Sequence, residues 1–296
     1  MMSSNIPAAP PVPTAVTRLT QLGLIMVSGP QAREYLQGQV TADLQKLTAE
    51  REQLACCNSP QGRAQAVFWL MERDDGIALL LPASMVDNTV ARLRKYVLRA
   101  KAKIEPAAHL RVGSIPRDQL PAEVTLATSN CEVNGVNYFT LPGQDDVMLL
   151  GAFDASDNAA REHDWKLAQL RAGLPQVYPE THEAFVAQML NIDLLGGISF
   201  EKGCYTGQEI IARAHFRGAV KRRMFLFRSD APPPAPGTRI LAGDHHAGDV
   251  VDAAATDTGC ELLAVISLPQ LKNELRLDGQ AATLTRLDLP YRVLAE

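Results

Sequence analysis

The stretch that most constrains the fold is residues 202–209, which read Lys-Gly-Cys-Tyr-Thr-Gly-Gln-Glu. Thr206 and Glu209 have the spacing of a capping box, in which two side chains pair with backbone N–H groups that the first helical turn leaves free. The residues that follow are mostly good helix formers. The pattern therefore predicts a helix that begins at Gly207.

Cys204 is the chemically distinctive residue of this stretch. It would lie just before the positive end of the helix dipole and two residues from Lys202, and both neighbours favour a thiolate. The alternative is that a lone cysteine is a small buried hydrophobe. We expect a functional thiol, which could transiently ligate iron or a cluster, take part in redox exchange with a partner or attack a one-carbon adduct.

Composition indicates a globular protein of two domains or one large one, since 46% of the 296 residues are hydrophobic and 21% are charged. The net charge of −4 provides no general attraction for nucleic acid. Five scattered cysteines indicate neither a disulfide framework nor a zinc ribbon and fit a reducing cytoplasm. No apolar run is long enough to span a membrane, and we expect residues 1–15 to be a flexible tail without a signal peptide.

Periodicity and turn residues predict the main elements. They are a strand over 22–27, a helix opening at Gly29-Pro30, a hairpin over 64–81, a helix capped by Ser84, a helix over 154–172, and short strands from 224 onward. The short strands from 224 onward predict a small all-β module, with a boundary near Lys221.

Other motifs are weak. No Walker A loop, dinucleotide fingerprint or zinc spacing occurs, so no metal held by the protein alone is expected. Basic residues cluster between 92 and 103, and we interpret them as a solvated helix face, with attraction of a phosphate or polyanionic tail as the alternative. A tRNA-binding module is disfavoured by the acidic balance and by a lack of interleaved basic and aromatic residues.

The 202–209 motif lies inside a longer stretch, 191–222, that resembles the signature of the YgfZ-type folate-binding proteins. The likeness extends to 27–29, to Leu-Gln-Gly-Gln-Val-Thr-Ala-Asp at 36–43 and to Leu-Arg-Ala-Gly-Leu-Pro at 170–175. Those proteins are relatives of the glycine-cleavage aminomethyltransferase and are implicated in iron-sulfur cluster maintenance and tRNA modification. The chain departs from the pattern at His215, where lysine is expected.

The resemblance implies an α+β, aminomethyltransferase-like body of two intertwined subdomains over residues 16–220 and a small β-barrel over 221–296. It also implies a central hole that holds tetrahydrofolate or a one-carbon derivative. Trp165 matches an aromatic that lies by the folate, although a core tryptophan is the alternative. The family's other aromatic position is Leu22 here, so that contact is lost or reduced to apolar packing.

Further folate contacts are expected at charged residues. Arg171, Lys202 and Arg213 could bind the glutamate carboxylates or a charged partner, or each could form a structural ion pair. Asp43 could accept a hydrogen bond from the pterin amino group, or it could cap a neighbouring turn.

Two functions from different classes follow. The first is a non-enzymatic folate-binding factor that assists iron-sulfur enzymes, among them radical enzymes that modify tRNA. The second is a true aminomethyltransferase, which the 202–209 motif disfavours. A catalytic dyad of Cys204 with His182 or His215 is not favoured either, since His215 lies at the far end of the predicted helix.

Overall fold

The structure, a computed structural model, describes residues 16–126, 129–216, 218 and 220–293. Over these residues the chain forms three antiparallel sheets and four α-helices. No helix among them is long and apolar enough to cross a membrane. The predicted tail at residues 1–15 lies outside the described part.

The elements follow one another along the chain. The helices are α1 (Ala32–Gln37), α2 (Val86–Arg94), α3 (Ala159–Arg171) and α4 (Gln208–Phe216). The strands are β1 (Thr17–Arg18), β2 (Leu22–Ser28), β3 (Gln53–Asn58), β4 (Ala64–Arg73), β5 (Gly76–Pro82), β6 (Lys103–Pro106), β7 (Arg111–Ile115), β8 (Asn130–Val133), β9 (Val136–Phe139), β10 (Val147–Gly151), β11 (Arg222–Ser229), β12 (Arg239–Ala242), β13 (His245–Thr256), β14 (Gly259–Ser267), β15 (Leu275–Leu277) and β16 (Thr285–Leu287).

The first two sheets are interleaved along the chain. One has the order β3-β4-β5-β2-β6, and the other has the order β1-β7-β10-β9-β8. Because β1 precedes the first sheet in sequence but pairs with β7 of the second, the chain enters the second sheet, leaves it and then returns. This crossing is the intertwining expected of the two subdomains.

Successive side chains of β2 point to opposite faces of the sheet and pack into two different hydrophobic cores. Leu24 and Met26 pack with Met148 and Leu150 of the second sheet, and Trp165 of α3 closes the same cluster. The intervening residues of β2 face the opposite way, toward α1 and α2. The first sheet is thus buried on both sides.

The C-terminal sheet, with the order β15-β12-β13-β14-β11-β16, curls into half a barrel. It contacts the body through α3. Arg171 donates from Nε to Glu261 Oε2 at 2.7 Å, and Lys166 pairs with the buried Asp252. The predicted boundary near residue 221 agrees with the start of β11 but stays a prediction.

The predicted starts of α2 and α3 are wrong. Ser84 lies in a short 3₁₀ turn, Ala83–Met85, and α2 follows it without a side-chain cap. Helix α3 begins at Ala159, capped by Asn158, rather than near 154. Ser156 is held extended there, because its N–H donates to the Val16 carbonyl and its own carbonyl accepts from Arg18 N–H.

Candidate functional site

The loop before α4 is tied to the segment after α1 by backbone and side-chain hydrogen bonds. Thr206 N–H donates to the Gly38 carbonyl at 3.2 Å, and Ser199 N–H donates to the Thr41 carbonyl at 2.9 Å. The Thr41 hydroxyl in turn donates to the Gly197 carbonyl at 2.6 Å. Two segments that are more than 150 residues apart in sequence, and that share the family resemblance, therefore form one local structure.

Lys202 holds this structure together from inside. Its side-chain ammonium donates to the carbonyls of Val40, at 2.9 Å, and Ala42, at 2.6 Å. The residue is only 8% exposed, and burial lowers its pKa from 10.5 to about 8, with Asp43 partly opposing this. The cation expected to favour a thiolate at Cys204 is thus committed to two backbone oxygens.

Cys204 is exposed and lies between two buried anchors. On one side is Lys202, and on the other is Tyr205, which is 7% exposed and whose ring lies 5.2 Å from the Lys202 ammonium. Gly203 has open space where a Cβ would be. The anchored loop therefore presents the thiol to solvent.

Helix α4 begins one residue later than predicted, at Gln208. Gly207 has a φ of +82°, and a Cβ there would lie 2.6 Å from the Ser59 carbonyl oxygen. Before the helix, the backbone N–H of Tyr205 donates to Oε1 of Gln208 at 3.3 Å. The predicted capping box of Thr206 and Glu209 is therefore wrong. Close packing of Gly207 against the β3–β4 turn determines the backbone conformation here.

His215 packs against aromatic side chains. Its ring stacks on Phe200, with ring centroids 3.8 Å apart and planes 16° apart. Phe216 meets His215 edge-on at 4.7 Å. Such stacking makes His215 part of an aromatic cluster and gives no support to a catalytic dyad with Cys204.

A narrow cavity brings together the two positions that the resemblance assigns to folate. Leu22 of β2 and Trp165 of α3 both line it, as do Trp69 and Gln169. Its volume is about 20 Å³, which is room for about one water molecule. Trp165 is 4% exposed, and its indole N–H points to Met148 Sδ at 3.1 Å.

A much larger cleft is also lined by Trp69. Its volume is about 530 Å³, within the range of small-molecule sites. Trp69 lines both spaces, since it stands on β4 between Leu54 and Leu80 of the neighbouring strands. The two spaces thus share Trp69 as a lining residue, which sequence reasoning missed because β4 looks like an ordinary hairpin strand.

Asp43 lines the cleft. Its carboxylate accepts from Gln37 Nε2 at 2.9 Å and from Gln45 N–H at 3.2 Å, where it caps the turn Leu44–Lys46. The hydrogen bond from Gln37, together with that from Gln45 and the nearby Lys46, holds the pKa of Asp43 below its usual value. Asp43 therefore caps a turn and also faces the space in which a ligand would bind.

The cations expected to bind carboxylates lie outside both spaces. The Arg171 guanidinium grips Glu261, Lys202 is buried as described, and Arg213 is exposed on α4. Lys46 and Arg51 line the cleft instead. They are exposed and were missed because neither lies in a recognisable motif.

The polar atoms that line the two spaces fit a folate, whereas the volume of the narrow cavity is too small for one. Three buried side-chain atoms have no hydrogen-bond partner among the described residues. One is Gln169 Nε2 at the narrow cavity, and the other two are Glu52 Oε2 and Gln53 Oε1 at the cleft. Such atoms favour a ligand that has both donors and acceptors. The volume of the cleft leaves room for a ring, whereas the narrow cavity would have to widen.

A resident metal has no evident site here. Within residues 16–126, 129–216, 218 and 220–293, no group of three or more His, Cys, Asp or Glu side chains is placed to hold an ion.

Comparison with curated proteins finds tRNA-modifying proteins named YgfZ along almost the whole chain. The one from Edwardsiella ictaluri is 32% identical over an alignment 313 positions long, gaps included, which covers 96% of this chain and 94% of the relative. The chain belongs to the YgfZ family. The YgfZ protein of Cronobacter sakazakii is 29% identical over 95% of this chain and 94% of its own. No protein-family model matches the chain.

A solved structure has the same fold. The glycine cleavage system aminomethyltransferase T from Bartonella henselae matches with a TM-score of 0.64, covering 93% of this chain and 85% of that chain. At 13% identity the likeness shows the fold alone. It confirms the predicted α+β, aminomethyltransferase-like class for this YgfZ-family chain.

Proposed function

We propose that this YgfZ-family protein is a tetrahydrofolate-binding factor that supports iron-sulfur enzymes, including enzymes that modify tRNA, through the thiol of Cys204. The observation that carries the proposal is that the narrow cavity and the cleft share Trp69 as a lining residue, with Leu22 and Trp165 also lining the narrow cavity. We place its work in the cytoplasm, where its cysteines would stay reduced.

The pterin ring stacks against Trp69 in the cleft. An indole face supplies a large rigid surface for a flat heterocycle. Asp43 and the buried oxygens of Glu52 and Gln53 supply acceptors for the amino and N–H groups of the ring. Gln169 supplies a donor for its carbonyl oxygen where the ring reaches the narrow cavity.

The glutamate tail extends toward the mouth of the cleft. Lys46 and Arg51 stand there, and Arg51 can hold a carboxylate with two hydrogen bonds. Tail binding by these two cations replaces the contacts first expected from Arg171, Lys202 and Arg213, which are engaged or located elsewhere.

Tryptophan fluorescence tests folate binding, because Trp69 and Trp165 are the two tryptophans of the chain. Titration of tetrahydrofolate should quench the emission saturably. In Trp165→Phe the remaining Trp69 should keep most of the quenching, whereas Trp69→Phe should lose most of it. Free N-acetyltryptophanamide, titrated in parallel, corrects for light absorbed by the ligand.

Calorimetry measures affinity without relying on emission. Trp69→Ala should weaken tetrahydrofolate binding about tenfold or more, since stacking is worth about 1–3 kcal/mol. Trp165→Phe, which keeps an aromatic ring in the core, should change affinity little. Absence of saturable binding in the parent protein by both methods would refute the folate proposal.

The thiol is tested in cells that lack the protein. Cys204→Ala should fold normally, because the side chain is exposed, yet fail to restore iron-sulfur enzyme activity. Cys131→Ala, at a partly exposed cysteine of β8, is the matched control and should restore it. Full rescue by Cys204→Ala would reduce Cys204 to a surface residue without a role.

A methylene-transfer assay distinguishes the second candidate function. The shared fold with an aminomethyltransferase makes that assay necessary, although the 202–209 motif disfavours the activity. We expect folate binding without turnover. Transfer of a one-carbon unit from a lipoyl-bound amine to tetrahydrofolate would instead show that the protein is an aminomethyltransferase.

A further inference from the structure

The surface turn that follows α2 is strongly basic. Residues 92–103 contain six lysines and arginines and no acidic residue, in a chain whose net charge is −4. Three of the six form hydrogen bonds or ion pairs with other residues of the chain. Arg92 bonds to Gln39 and Gln65 side chains, Arg94 donates to the Ile104 carbonyl, and Lys103 pairs with Glu105 at 2.8 Å.

The other three cations have no ion pair among the described residues. They are Lys95, Arg99 and Lys101, and all are exposed within seven residues of one another. These three lie within one seven-residue stretch that contains no acidic residue, and we treat this stretch as one positive patch. A patch of this kind attracts phosphate groups.

Two apolar side chains stand within the same patch. Leu98 is 88% exposed, and its φ of +43° lies in the left-handed region that a leucine avoids. Tyr96 is 37% exposed, and the Arg92 guanidinium lies 4.3 Å from its ring centroid. Folding does not need an exposed leucine in a strained conformation, so this geometry points to a contact outside the molecule.

We propose that this turn, residues 95–101, is a docking surface for RNA that carries at least one unstacked base. Lys95, Arg99 and Lys101 bind phosphates, and Tyr96 and Leu98 pack against the exposed base. The surface goes beyond folate binding and is independent of it. A tRNA-binding module is disfavoured by the composition of the chain as a whole, whereas within this turn Tyr96 lies between the cations in sequence.

RNA fits this turn better than an acidic peptide does. Peptides are bound in grooves or along sheet edges, whereas none of the cavities described above is lined by residues 95–101. A basic turn with an exposed ring combines the phosphate contacts and the stacking surface that unpaired RNA requires. The acidic peptide is therefore treated as an outcome of the test.

The test measures the binding of a fluorescently labelled, unmodified tRNA transcript by anisotropy at several salt concentrations. The triple variant Lys95→Ser, Arg99→Ser, Lys101→Ser should lose tenfold or more in affinity at low salt. Its plot of log K against log salt should be shallower by about 2, since each phosphate contact contributes about 0.7 to 0.9. An unchanged affinity would overturn the proposal.

The matched control removes the same charge elsewhere. Arg117→Ser, Arg239→Ser, Lys272→Ser changes three exposed cations that lie outside the turn, and its affinity should stay within about twofold of the parent. Equal losses in the two triple variants would mean attraction by overall charge only and would overturn the proposal. Competition by poly-glutamate as effective as that by unlabelled RNA would assign the turn to an acidic protein instead.

Leu98→Asn separates contact from strain. Asparagine tolerates the left-handed conformation, so the variant should be at least as stable as the parent in urea unfolding. Its RNA affinity should nevertheless fall several-fold, because the apolar contact is gone. Affinity equal to that of the parent would remove Leu98 from the docking surface.

Discussion

Replacing Lys202 should change how the stability of the protein depends on pH. The folded chain releases the Lys202 proton near pH 8, whereas an unfolded chain holds it up to about 10.5. Between these values unfolding takes up a proton, so raising the pH disfavours unfolding and stability increases. Well below pH 8 Lys202 is charged in the folded protein, and the full free-energy cost of burying that charge is subtracted from the stability.

The magnitude follows from the two pKa values. The interval from about 8 to 10.5, at about 1.36 kcal/mol for each pH unit, corresponds to about 3 kcal/mol. About two thirds of it should develop between pH 8 and 10. Since the side chain is 8% exposed, little of this effect is screened by solvent.

The assay compares urea unfolding of the parent and Lys202→Met from pH 7 to 10. Methionine keeps most of the stem and removes the charge. The difference in unfolding free energy should shift by about 2 kcal/mol in favour of the parent between pH 8 and 10. Buried tyrosines and cysteines, whose raised pKa values act in the opposite direction, are present in both proteins and cancel.

Lys46→Met is the control, because the Lys46 side chain is 64% exposed. Its unfolding free energy should differ from that of the parent by a constant amount across the same pH range. A pH-independent difference for Lys202→Met, within about 0.5 kcal/mol, would refute the view that Lys202 is a buried, charged anchor.

Three further substitutions test the packing around the site. Gly207→Ala should cost about 2–3 kcal/mol in urea unfolding, because φ is +82° and the new Cβ meets a carbonyl oxygen; Gly203→Ala, in open space, should stay within about 0.5 kcal/mol. Thr41→Val should cost about 3 kcal/mol by the same measurement, since the buried hydroxyl serves two backbone groups. Glu261→Gln should cost about 1–2 kcal/mol and make the C-terminal sheet more sensitive to proteolysis, because the paired contact with Arg171 is weakened.

Local sequence signals predicted the fold where local interactions decide it. The hairpin of β4 and β5 is confirmed, because alternating apolar residues and a Gly-containing turn determine such a pairing without help from distant segments. Helix α3 is longer in the prediction than in the structure. Several polar residues before Asn158 could cap a helix, and the choice among them is made by contacts with the N-terminal strand.

The site was less predictable because distant contacts define it. Lys202 looked like an activator of Cys204 by proximity in sequence, yet its partners are the carbonyls of residues 40 and 42. Trp69 gave no signal at all, since its importance arises only because two spaces share it as a lining residue. Leu22 and Trp165 do line one cavity, while their contact with folate stays a prediction.

The burial of the residues that flank Cys204 bears on the entropy of binding at this loop. With Lys202 and Tyr205 buried on either side, the segment has already lost the freedom that a mobile loop would lose on binding. Ordering flexible side chains costs about 0.5–1.5 kcal/mol each, and here that cost was met when the chain folded. A partner that binds the sulfur would therefore not have to order these two neighbouring side chains, and its binding would lose correspondingly less entropy.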